Sequence, residues 1–221
     1  MKTLLKIICN SKVKYALVLL FLLTLYIYIS AYSYVSAVSA DIEQSVFRLH
    51  VIANSDSKED QSLKYMVRDS LLNYMNTLCT DTTSKEEVIQ IAESHKEEFY
   101  QIAKKTIEDQ GYDYDVDIKI GNFAFPTKTY GDISLPAGNY DALRVEIGEA
   151  QGQNWWCVMF PPLCFVDVSS GIVPEESKEV MKENLSDEEF SLISEENDSQ
   201  ITFKFKLIEF FQNNNIFTAK K

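Results

Sequence analysis

An apolar run near the start of the chain, with positive charge only in front of it, constrains this sequence more than any other feature. Four lysines precede the run from Tyr15 to Ile29, and all 33 acidic residues follow Ala40. A basic segment, an apolar segment and small residues ending at Val38-Ser39-Ala40 form the pattern of a signal peptide with its cleavage site. The pattern predicts that residues 41–221 are exported.

The alternative is that residues 1–40 stay attached as an N-terminal membrane anchor. No charged residue occurs from Tyr15 to Ala40, and a helix of about 20 apolar residues is long enough to cross a bilayer. The lysines lie before the segment, so the positive-inside rule keeps the N-terminus in the cytoplasm. Both alternatives send residues 41–221 across the membrane, and that length predicts a single exported domain.

The exported part is strongly acidic. Without the leader lysines it carries 17 basic and 33 acidic residues, a formal charge near −16. Like-charge repulsion disfavours nucleic acid and anionic lipid headgroups as partners, so we expect membrane contact only through the N-terminal segment.

Periodicity predicts a strand followed by two long amphipathic helices. Residues 45–53 alternate as a half-buried strand does. Apolar residues three and four apart predict a helix over 58–78, with Asp56 and Glu59 at capping-box spacing. A second long helix is predicted between Ser84 and Gly111.

Strands dominate the next part of the chain. Residues 112–120 alternate cleanly, and residues 140–147 and 155–160 are predicted to pair as a buried hairpin. An acidic segment over 174–197 has helical character, and residues 201–211 are predicted to form a last helix. The expected fold class is α+β, an antiparallel sheet packed with two long amphipathic helices plus a C-terminal helical segment.

The cysteines and histidines do not predict a catalytic site. His50 with Cys157 or Cys164 would suit a thiol-dependent hydrolase, and this is the alternative function. Bulky apolar neighbours, however, disfavour a thiolate at either position, and neither cysteine has a recognisable nucleophile context. In an oxidising compartment Cys157 and Cys164 either form a disulfide or remain two buried thiols.

Metal and cofactor motifs are absent from the sequence. The chain has two histidines, His50 and His95, and no histidine or cysteine pair has zinc-ligand spacing. Asp113, Asp115 and Asp117 alternate along one solvated strand face and lack the glycine turn of a calcium loop. We therefore expect neither a metal nor a cofactor.

The segment from Gly152 to Phe165, GQNWWCVMFPPLCF, contains both tryptophans. It predicts either a core hairpin with a rigid corner or a preorganised aromatic binding surface. Both hold if Trp155 and Trp156 face opposite sides of a strand. A wall-binding module would also display aromatic side chains, but it would be expected to have more than one adjacent tryptophan pair.

Two long stretches carry a family resemblance. RLHVIANSDSKEDQSLKYMVRDSLL (Arg48 to Leu72) and LPAGNYDALRVEIGEAQGQNWWCVMFPPLCFVD (Leu135 to Asp167), behind this leader, resemble the stage II sporulation protein R family of endospore-forming Firmicutes. The resemblance implies a forespore signalling protein exported into the space between the forespore and mother-cell membranes. There it would activate a membrane-embedded aspartic protease, which cleaves the sigma-E precursor.

The resemblance implies a protein ligand of a protease and brings no catalytic residues with it. An activator of this kind works by binding one receptor state better than the other. We expect its binding surface to include two groups of residues: Arg48, His50, Asn54 and Asp56, together with Asn154, Trp155 and Trp156.

Overall fold

The structure is a computed structural model that describes residues 11–79, 84–161, 173 and 175–194. The chain divides into two compact units, Met1–Ala40 and Asp41–Lys221. The division falls at the end of the predicted leader. Whether that leader is cleaved or retained as an anchor stays a prediction.

Helix α1, Ser11–Ser45, contains the apolar run. Its segment Lys12–Ser30 has a mean hydropathy of 2.0 and is long and apolar enough to cross a membrane. A signal sequence near an N-terminus has the same length and composition. The helix therefore fits the predicted export signal.

A four-stranded sheet forms the centre of the second unit. The strands run in the order β2, β5, β1, β6, where β1 pairs parallel with β5 and the other two pairs are antiparallel. Strands β3 and β4 form a separate two-stranded sheet. The α+β class is confirmed, with one parallel pair inside the sheet. The strands are β1 (Phe47–Ile52), β2 (Val116–Phe125), β3 (Lys128–Tyr130), β4 (Ile133–Leu135), β5 (Gly138–Ile147) and β6 (Asn154–Phe160).

The predicted hairpin of residues 140–147 with 155–160 is wrong, because β1 lies between β5 and β6. The connection between them passes the end of β1 and hydrogen-bonds to it. Gly152 N donates to Ala53 O at 2.9 Å, and Gln151 N donates to Asn54 O at 3.2 Å. Alternation identifies a strand but does not identify its neighbour.

Helix α2, Lys58–Leu78, has the predicted bounds. Its N-cap is Ser57, whose Oγ accepts from Asp60 N at 3.1 Å, so the predicted cap at Asp56 is wrong. The Asp56 carboxylate instead accepts from Gln153 N at 2.8 Å. Asp56 therefore contacts a residue that is distant in sequence instead of capping α2.

The second long helix is divided into α3, Lys85–Ser94, and α4, Lys96–Asp109. His95 lies in the turn between them, and its Nδ1 is 2.9 Å from Tyr74 Oη of α2. Apolar spacing continues across this turn because both helices bury their stripes in the same core.

Two short helices represent the predicted C-terminal helical segment, α5, Glu175–Asn184, and α6, Asp187–Ile193. Ser186 and Glu189 form a capping box at the start of α6. The predicted helix over 201–211 lies outside the described residues.

One face of the sheet packs against α2, α3 and α4. Alternate residues of β1 enter this core, and their neighbours in sequence point to the opposite face. The apolar core includes Phe47, Leu49 and Val51 of β1, Leu63, Val67 and Leu71 of α2, Val88 of α3, and Phe99, Ala103 and Ile107 of α4.

Candidate functional site

The sheet face opposite the helices brings several predicted partner-binding residues together. Arg48 and His50 project from β1, while Asn154 and Trp156 project from β6. His50 is the register partner of Trp156, and Ile52 is the partner of Asn154. The antiparallel pairing of these two strands therefore builds one cluster from residues about 100 positions apart.

His50 is held as a neutral imidazole. Its side chain is 4% exposed, its Nε2 lies 2.7 Å from Asn154 Oδ1, and its ring stacks on Trp156 with centroids 3.7 Å apart. Burial, together with the nearby Arg144 charge, lowers the pKa of His50 to about 4, although the hydrogen bond that His50 donates to Asn154 acts in the opposite direction. Because the acceptor is an amide oxygen, Nε2 carries the proton.

Arg48 is a fully buried guanidinium surrounded by aromatic rings. Its Cζ lies 4.1 Å from the ring centroid of Phe125 and 4.6 Å from that of Tyr140, and Nη2 donates to Tyr130 Oη at 2.7 Å. Within the part of the chain that the structure describes, Nε and Nη1 have no hydrogen-bond partner. The cation is therefore stabilised mainly by ring faces.

The two tyrosines of this cluster remain protonated. Burial raises the pKa of Tyr130 and of Tyr140, although the Arg48 charge acts in the opposite direction. Tyr130 Oη donates onward to Trp156 O at 3.1 Å, and Tyr140 Oη donates to Pro136 O at 2.7 Å. Arg48 and His50 thus support the sheet from inside, and their side chains are closed to solvent.

Asn54 and Asp56 connect the loop before α2 to the loop between β5 and β6 by hydrogen bonds. Asn54 Oδ1 accepts from Glu149 N at 2.9 Å, and Asn54 Nδ2 donates to Asp60 Oδ2 at 2.9 Å. Burial raises the pKa of Asp60, but hydrogen bonds from Ser55 and Asn54 outweigh it, so the net shift is downward. The charged carboxylate therefore anchors the loop before α2.

Two glycines allow the loop between β5 and β6, residues 148–153, to approach the loop before α2 closely. Gly148 has a φ of +56°, and a Cβ there would collide with the Asn54 side chain. A Cβ on Gly152 would collide with the Ser55 carbonyl group. Both glycines lie in the connection between β5 and β6, so this connection can pack closely against the end of β1.

Trp155 lies on the helix-facing side, away from Trp156. Its ring meets Tyr65 of α2 edge to face, with centroids 5.3 Å apart, and Arg68 Cζ lies 4.5 Å above the indole. Sequence analysis missed Tyr65 and Arg68, because they lie beside the apolar stripe that was used to predict α2. An aromatic residue at an exposed helical position was the available signal.

A thiol and imidazole pair does not form between Cys157 and His50. Cys157 is the register partner of Leu49, so its buried side chain faces the helices while His50 faces the other side. Cys157 is also disulfide-bonded. Cys164 lies outside the described residues, so its pairing with Cys157 stays a prediction. No cluster of three metal-ligating side chains occurs among the residues searched, which are those described.

Comparisons with known proteins point to one family. Residues 43–170, more than half of the chain, match the family described as Stage II sporulation protein R. A relative named Stage II sporulation protein R, from Bacillus subtilis (strain 168), is 41% identical over 143 residues. The aligned part is 64% of this chain and 64% of that relative's length. No solved structure matches.

Proposed function

The chain belongs to the stage II sporulation protein R family, and on that premise we propose that it is an exported signalling protein of sporulation. It acts between the forespore and mother-cell membranes. There it activates a membrane-embedded aspartic protease of the mother cell, and the activated protease processes the sigma-E precursor.

The observation that carries this proposal is the position of the apolar helix in front of an acidic family domain. Lys12–Ser30 fits an export signal, and the family match begins shortly after it, at residue 43. The charge near −16 on residues 41–221 suits a protein that meets another protein rather than a nucleic acid.

Contact, rather than chemistry, accounts for the activation. The neutral His50 is stacked on Trp156, and Cys157 is in a disulfide on the other side of the sheet. Neither group is placed to attack a substrate. A ligand activates a receptor by binding its active state more tightly, and a hundredfold shift in the equilibrium requires about 2.7 kcal/mol of preferential binding.

A complementation experiment tests the proposal. Sporulating cells that lack the protein receive the full chain, a form without residues 1–40, or a form with an unrelated cleavable export leader in place of residues 1–40. Immunoblots then measure conversion of the sigma-E precursor. We expect the full chain and the exchanged-leader form to restore conversion, and the leaderless form to fail.

The exchanged-leader form is the matched control, because it carries the same domain. Conversion restored by the leaderless form, with the domain confined to the cytoplasm, would contradict signalling across the membrane.

A further inference from the structure

Helix α2 exposes the large apolar side chains that the described part of the second unit leaves to solvent. Tyr65 is 38% exposed and Met66 is 39% exposed. Among the described residues, every other exposed large apolar side chain belongs to α1. Exposed apolar residues that cluster on a folded domain mark interaction sites more often than scattered ones do.

Tyr65 belongs to an ordered cluster of aromatic and cationic side chains. Arg68 Cζ lies 4.5 Å from the ring centroid of Trp155 and 5.0 Å from that of Tyr65, and the two rings pack edge to face. Lys64 Nζ lies 4.7 Å from the centroid of Tyr65 and donates to Gln153 O at 3.1 Å. A helix and a strand hold the cluster, so little conformational entropy is lost when a partner binds.

A groove also opens beside α2. It has a volume of about 340 Å³ and lies between α2 and the turn after α4, with Met66, Gln110 and Tyr112 among its lining residues. Met66 is thus shared by the exposed surface and the groove. Methionine side chains adapt to apolar groups of different shape.

The cluster contains two cations, because Lys64 and Arg68 both lie within 5.0 Å of the Tyr65 ring centroid. Burial and the nearby Arg68 charge lower the pKa of Lys64, while the Asp56 charge raises it. The ion-pair partner of Arg68 is Asp69, 2.6 Å away, whose side chain is half exposed. A carboxylate from a partner would compete with Asp69 for the Arg68 guanidinium, beside two aromatic rings.

We infer that Tyr65, Met66, Arg68 and Trp155, here called the α2 patch, form the surface that contacts the extracytoplasmic part of the protease. The segment bound there presents an acidic side chain to Arg68 and an apolar side chain to Tyr65 and the groove. This inference rests on the proposed function and assigns the contact to a particular surface.

Photo-cross-linking in sporulating cells tests the location. A benzoylphenylalanine replaces Tyr65, Gln90 of α3 or Lys119 of β2 in the full chain; the last two positions are exposed and belong to other elements of the fold. A tagged protease identifies the product. We expect a cross-link from position 65 and none from position 90 or 119.

The outcomes separate the inference from the proposed function. A protease cross-link from position 90 or 119 without one from position 65 overturns the α2 patch and leaves the proposed function standing. A cross-link from position 65 to phospholipid also overturns the patch. Normal conversion of the sigma-E precursor in cells that lack the tagged protease overturns the proposed function itself.

Charge reversal tests the chemistry of the partner. Arg68→Glu is expected to lower precursor conversion at least tenfold, and Arg68→Lys should retain part of it. Lys105→Glu of α4 makes the same kind of charge change at an exposed position and should leave conversion unchanged. Equal conversion by Arg68→Glu and the native chain overturns the acidic partner.

Tyr65→Ala provides a second variant if Arg68→Glu does not fold. The side chain is 38% exposed, so the thermal midpoint should change little while precursor conversion falls at least fivefold. Native conversion by this variant, at a native protein level, overturns the inference.

Discussion

The two sides of strand β1 are equally buried and chemically opposite. Phe47, Leu49 and Val51 enter an apolar core, whereas Arg48 and His50 enter a cluster of aromatic rings. A buried cation without a carboxylate partner is expensive unless other groups stabilise it. The comparison shows that residues typical of binding sites can serve as internal support, whereas the binding surface inferred above lies mainly on helix α2.

The largest change in the free energy of unfolding is expected at Arg48, where two substitutions separate the contribution of its charge from that of its volume. Arg48→Ala removes the ring contacts and opens a cavity, so the free energy of unfolding should fall by about 4 kcal/mol. Arg48→Met fills most of the space without a buried charge and should cost about 1 kcal/mol or less. Urea unfolding measures both.

Leu49→Ala on the apolar side is the reference and should cost about 3 kcal/mol. If Arg48→Met is as destabilising as Arg48→Ala, the guanidinium charge itself holds this face together, and the cluster is not merely space filled by a long side chain.

Lowering the pH should destabilise the fold through protonation of His50. The folded-state pKa is lowered from 6.5 to about 4, so the neutral form stabilises the fold above pH 6.5. That contribution is about 3 kcal/mol and is lost as the pH falls from 6.5 through 4. Unfolding measured at pH 7, 5.5 and 4.5 should follow this decline.

His50→Gln is the control, because it retains a donor for Asn154 without titrating near neutral pH. The carboxylates of Asp60, Asp132 and Asp141 have lowered pKa values and lose their contribution below this window. Glu43 has a raised pKa and changes stability in the opposite direction in both proteins. Parallel pH profiles for the two proteins would contradict the assignment to His50.

Removal of the Asn54 hydrogen bonds should have a smaller effect on the free energy of unfolding. Asn54→Ala removes the bonds to Glu149 N and Asp60, which should cost about 1.5 kcal/mol because part of this region remains open to water. Hydrogen exchange at the Glu149 amide should quicken more than exchange in β5. Unchanged exchange at Glu149 would show that Asn54 does not hold this loop.

The smallest stability change is expected at the α2 patch. Tyr65→Ala removes the edge-to-face contact with Trp155 and the ring contacts with Lys64 and Arg68, so it should lower the free energy of unfolding by about 1 kcal/mol, and precursor conversion should fall. Calorimetry gives the stability and immunoblotting gives the conversion. A large loss of stability would place Tyr65 with the supporting residues and remove the contrast between the two regions.

Local periodicity predicted the elements, and long-range contacts decided their arrangement. The apolar spacing of residues 58–78 identifies α2 because that helix buries its own stripe. The position of β1 between β5 and β6 comes from pairing with strands about 95 to 110 residues away in sequence. Likewise, the break between α3 and α4 lies at His95, whose ring contacts Tyr74 of another helix. The sequence around His95 does not reveal this contact.

The candidate site was predictable only in part, for the same reason. The adjacent tryptophans indicated an unusual strand, and strand geometry places them on opposite sides. Burial of Arg48 could not be predicted, because arginine usually lies at the surface. Tyr65 and Arg68 were missed because the solvent side of an amphipathic helix carries no periodic signal.

Titration of the purified full chain against a fixed amount of purified protease in detergent tests contact-driven activation most directly. Cleavage of the sigma-E precursor should rise in a saturable manner at activator amounts comparable with the protease, and it should reverse when the activator is removed. Thiol alkylation of the activator should not change the curve. Full activation by trace amounts that persists after removal would contradict the account and indicate chemical modification of the protease.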